Sequence, residues 1–86
     1  MLDEQHTTMG LHHWTKHAIE KLGWVLMAKE FGYGKKVEAY KDSVERLGLA
    51  LLKKQKQVKE SDRKADLKIL LEHVSILKKN IKAFNL

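Results

Sequence analysis

Two heptad runs constrain the fold of this chain more than any other feature. Val37, Tyr40, Val44, Leu47, Leu51 and Val58 recur at heptad spacing, and so do Leu67, Leu70, Val74, Leu77, Ile81 and Phe84. Apolar steps of three and four residues put each set on one seam of a helix, whereas a strand would alternate every second residue. The chain is therefore read as all-α.

Eighty-six residues leave room for one domain with a small core. Proline is absent, 43% of residues are hydrophobic and 33% charged, a balance that suits a helical bundle and not a disordered tail. Cysteine is also absent, which removes disulfides, thiolate nucleophiles and Cys-based zinc sites. The segment MLDEQHTTMG lacks a basic start followed by an apolar stretch, and the longest apolar run, Trp24 to Ala28, is too short to span a bilayer. An intracellular or virion protein with no membrane partner is expected, residues 1–6 being flexible.

The apolar pattern predicts a three-helix antiparallel bundle over about 8–31, 35–59 and 62–84, all in a single domain spanning 1–86. Thr7 or Thr8 can cap the first helix, which carries Leu11, Trp14, Ala18, Leu22 and Val25 on one face. Gly32 stands where a left-handed residue commonly ends a helix, and Gly34 adds a second flexible point. After Lys59 the heptad frame slips by two residues within polar sequence, which predicts a turn capped by Ser61 or Asp62. No proline or glycine interrupts residues 49–86, so one long kinked rod is the alternative to a hairpin.

Apolar residues exceed what three seams need. Trp24, Met27 and Phe31 project opposite the Leu11, Ala18, Leu22 stripe, and Ile69 and Ile76 repeat away from the third seam. Such surplus is expected to meet a protein partner or a second copy, with Trp among the strongest contact residues. An irregular bundle that folds these side chains into its own core is the competing expectation.

A net charge of +6 and a pI near 9.6 suggest nucleic acid as a second class of partner. Lys53, Lys54, Lys56, Lys59, Arg63, Lys64 and Lys68 would gather at the hairpin end, and Lys35 and Lys36 would open the second helix beside Gly32-Tyr33-Gly34. A helix start attracts anions, but the glycine spacing and the hydroxyl of a P-loop are missing. Lysine outnumbers arginine fifteen to two, which favours nonspecific phosphate contact over base reading. Several of these lysines also lie in the last helical turns, where cations complement the helix dipole without any ligand.

His13, His17 and Glu20 share a face and are weak metal candidates, because a third or fourth ligand from elsewhere is needed. No metal or cofactor is expected. Glu38, Asp42 and Glu45 alternate with Lys41 and Arg46 as a solvated face does, and Ser43 and Ser61 lack a local base. An enzyme is not expected.

The stretch LHHWTKHAIEKLGWVLMAKEFGYGKKVEAYKDSVERL resembles short proteins, of uncharacterised activity, encoded by large DNA viruses and tailed phages. The resemblance covers roughly half of the chain, rests on the Trp14-to-Trp24 block and the Gly32-Tyr33-Gly34 turn, and brings no functional residue with it. It implies a viral accessory or virion component. The combined expectation is a helical association module, with nonspecific nucleic-acid binding as the alternative.

Overall fold

The computed structural model describes residues 8–59 and 61–86. Segment 1–6 and the Thr7 cap lie outside the described residues, as do the side chains of Thr8 and Asp62. Three helices follow one another: α1 (Thr8–Glu30), α2 (Gly34–Gln57) and α3 (Ser61–Ala83). Their bounds differ by one or two residues from those expected, and every pair of helices packs together, α1 with α3 the least. The fold is a three-helix bundle.

Cross-helix contacts set the directions. Trp14 Nε1 donates to Ser43 Oγ at 3.3 Å, and the Tyr40 hydroxyl donates to the carbonyl of Ala18. Later residues of α1 thus meet earlier residues of α2, so the two run antiparallel. Between α2 and α3, Lys78 Nζ lies 3.3 Å from Glu45 Oε2, and the backbone at Gly48 passes close to Val74. In a continuous rod Glu45 and Lys78 would stand roughly 50 Å apart at 1.5 Å per residue. The kinked rod is excluded, because Val58 leaves the helix with φ −81° and ψ 130° and the chain turns back.

The core is the heptad seams. Val37, Tyr40, Val44, Leu47 and Leu51 of α2 and Leu67, Leu70, Val74 and Leu77 of α3 are all buried. Leu11, Ala18, Val25 and Ala28 supply the α1 side, with Trp14 and Leu22 partly buried against them. Thr15 is also buried; its hydroxyl donates to the Leu11 carbonyl at 2.8 Å, which satisfies the polar group inside the bundle. Burial pushes the Tyr40 phenol above its ordinary value of 10.0.

Phe84 departs from the seam expected of it and is exposed. α3 ends at Ala83, and Asn85 takes a left-handed φ of 56°. Asn85 N–H donates to the Lys82 carbonyl and Leu86 N–H to that of Ile81, a paired C-terminal cap. This reversal lays Leu86 against the core in place of Phe84.

Candidate functional site

The end of the bundle where α1 turns into α2 concentrates the exposed aromatic residues. Trp24 and Phe31 are seven residues apart, about 20° on the helical wheel, and Met27 lies between them on the same outer flank. Gly32, with φ 78°, closes α1 by the same cap geometry: its N–H donates to Lys29 and that of Tyr33 to Ala28, at 3.0 and 2.9 Å. That cap folds Tyr33 back over the helix it has just left. Trp24, Met27, Ala28, Phe31 and Tyr33 then line one groove of about 290 Å³.

These side chains are not shielded by the bundle. Trp24 is 54% exposed, Met27 58%, Phe31 68% and Tyr33 56%. The Phe31 and Tyr33 rings lie 6.3 Å apart at a tilt of 40°. Lys36 Nζ stands 5.0 Å from the Trp24 ring centroid and 5.7 Å from that of Tyr33, over both π faces. A lysine in the first turn of α2 opposes the helix dipole, and the two rings offset that cost. Tyr33 enters the site through the cap at Gly32; the sequence signal is the residue after a helix-ending glycine, which commonly packs back on the last turn.

A wider groove of about 690 Å³ continues from Trp24 and Lys36 between α1 and α2, bordered by His17, Glu20, Lys21 and Ser43 above the Tyr40 ring. Ser43 accepts the Trp14 indole N–H, and no base addresses its hydroxyl. His13 and His17 pack edge to face at 5.1 Å between ring centroids. Among the described residues no group of three His, Cys, Asp or Glu side chains could hold a metal ion.

Ile69 and Ile76 lie elsewhere. Ile69 borders a groove of about 690 Å³ between α1 and α3 with Met9, His12, Asp66 and His73, and Ile76 is 54% exposed seven residues further along α3. Ile19, on the α3-facing flank of α1 with His12 and Lys16, is also exposed. Trp24 sits about 140° around α1 from Ile19, so the Trp24 cluster and the isoleucines flank α1 on different sides. The five residues expected to share one contact surface form two.

The basic residues divide as well. Lys35 is exposed beside the aromatic end, whereas Lys53, Lys54, Lys56, Lys59, Arg63 and Lys64 belong to the opposite end, around the α2–α3 connection. On the outer face of α2, Lys41 pairs with Glu38 and Arg46 with Asp42 at 3.3 and 3.0 Å. No helix among the described residues is long and apolar enough to cross a membrane. No protein-family model matches the chain, and neither a curated protein nor a solved structure shows detectable similarity to it.

Proposed function

We propose that this chain is an association module that pairs with a second copy of itself through the aromatic end. The observation that carries the reading is the clustering of Trp24, Met27, Phe31 and Tyr33 around one groove, each more than half exposed, while the core is already closed by other residues. Burying such a side chain completely is worth about 1.5–3 kcal/mol, and large aromatic residues supply most interface hot spots. Lys36 stacked on Trp24 and Tyr33 holds both rings in place before contact, which lowers the ordering cost of binding.

The rim supports a second copy as the occupant. Glu30 and Lys35 are both exposed and flank the turn, so in a two-fold pairing the carboxylate of each copy can face the ammonium of the other. A self-pairing bundle also suits the structural or accessory role in a viral assembly that the sequence resemblance implies. The reading involves neither catalysis nor a cofactor.

The double variant Trp24→Ala/Phe31→Ala tests it. The wild-type chain is expected at twice its 10.0 kDa mass in light scattering, and the variant at 10.0 kDa with unchanged helicity. A wild-type protein that stays at 10.0 kDa at every concentration overturns the proposal.

A further inference from the structure

We propose that the hairpin end of the bundle, where α2 and α3 join, binds the phosphodiester backbone of nucleic acid without reading its sequence. Seven cations against three acids fall between residues 53 and 68, which places four of the chain's six net positive charges at this end. The connection comprises residues 58–60, so the basic ends of two helices converge on one tip.

What distinguishes this cluster is its pairing. Elsewhere on α2 and α3 the cations Lys41, Arg46 and Lys78 each have a carboxylate within 3.3 Å. Among the described residues Lys54, Lys56, Lys59, Lys64 and Lys68 have none. The helix dipole accounts for Lys54 and Lys56, in the last turn of α2. It works against Lys64, which follows closely on the start of α3 at Ser61. An external anion would relieve the repulsion that this arrangement keeps.

The chemistry of the tip favours phosphate on a nucleic acid over other polyanions. Lysine is a point charge suited to phosphate and lacks the planar fork that reads base edges. No large apolar side chain is exposed between Lys53 and Lys68 among the described residues, since Val58 packs on the core. A lipid surface would call for apolar side chains to insert, and protein interfaces are depleted in lysine. The bundle is 26 by 16 Å across, enough to cover roughly ten phosphate charges of a duplex at about 1.7 Å per charge.

The test is fluorescence anisotropy of a labelled mixed-sequence 30-base-pair duplex titrated with the full chain, repeated with an unrelated sequence. Five phosphate contacts predict a log–log salt slope of about −4.5, hence about 500-fold weaker binding at 200 mM than at 50 mM salt, equal for both sequences. Lys56→Glu/Lys64→Glu is expected to weaken binding at least 10-fold and to flatten the slope by about 2. Lys16→Glu/Lys79→Glu, with the same net charge, is expected to stay within about 3-fold of wild type, since it removes no phosphate contact. No binding at 50 mM salt, or equal loss in both variants, overturns the proposal. So does tighter binding to vesicles containing phosphatidylserine than to the duplex, which would make the tip a lipid contact.

Discussion

The two turns of this bundle solve the same problem with different chemistry. Each connects antiparallel helices through three residues, 31–33 in one and 58–60 in the other. The first is fixed by a left-handed glycine and crowded with exposed rings, and its Lys36 lies on those rings. The second leaves the helix through extended Val58 and is surrounded by lysines, five of them without a carboxylate among the described residues. Neither set of exposed side chains is needed to close the core. The seams therefore explain the fold, and the ends are where the chain carries chemistry that the fold does not require.

The largest effect separates core from ends. Leu51→Ala removes a fully buried seam residue and should cost about 2–5 kcal/mol in chemical denaturation, so loss of either end's behaviour in that variant would report unfolding. Trp24→Ala/Phe31→Ala should instead leave the stability of the monomer within about 0.5 kcal/mol of wild type, because exposed substitutions rarely matter more. A large stability loss in that variant would make the aromatic end part of the core and break the distinction.

Next in size is the difference between the turns. Gly32→Ala forces a β-carbon into φ 78° and should destabilise by about 1–2 kcal/mol, although the space around Gly32 is open. Lys59→Ala, in the other turn, should change stability by less than about 0.5 kcal/mol. Equal effects would mean that the turns are held in the same way.

Much of this was legible in the sequence, and the rest was lost for identifiable reasons. The seams from Val37 to Leu51 and from Leu67 to Leu77 show because heptad spacing encodes burial directly. Phe84 continues that spacing yet faces solvent, since a left-handed Asn85 ends the helix, a conformation that Asn adopts more readily than other non-glycine residues but that its presence alone does not announce. The exposure of Trp24 and Phe31 follows from the helical wheel. That Ile69 and Ile76 lie on another flank depends on how α1 and α3 rotate against each other, which no single helix specifies. Lys36 read as a cation facing an anion, because a ring reaching back from α1 is a tertiary contact.

Tyr40 gives a smaller test that belongs to neither end. Its hydroxyl donates to Ala18, so Tyr40→Phe should cost about 0.5–1.5 kcal/mol at neutral pH. Burial raises the folded phenol above 10.0, so the folded state holds this proton more tightly than the unfolded chain. That contribution is complete below pH 10 and is lost as pH rises through the folded value. The stability gap between wild type and Tyr40→Phe, measured by urea denaturation, should therefore shrink above pH 10. The smallest effect expected is that of Lys36→Gln, which gives up a cation–π contact worth about 0.5–1 kcal/mol and should weaken association by a few-fold only.

The most direct test of self-association at the aromatic end is the solution mass of the wild-type chain, by light scattering after size exclusion, across protein concentration and salt. Apolar contact predicts a dimer that persists or strengthens as salt rises, because screening does not weaken burial of rings. A monomer at every concentration, or a dimer that dissociates as salt is added, would contradict the account.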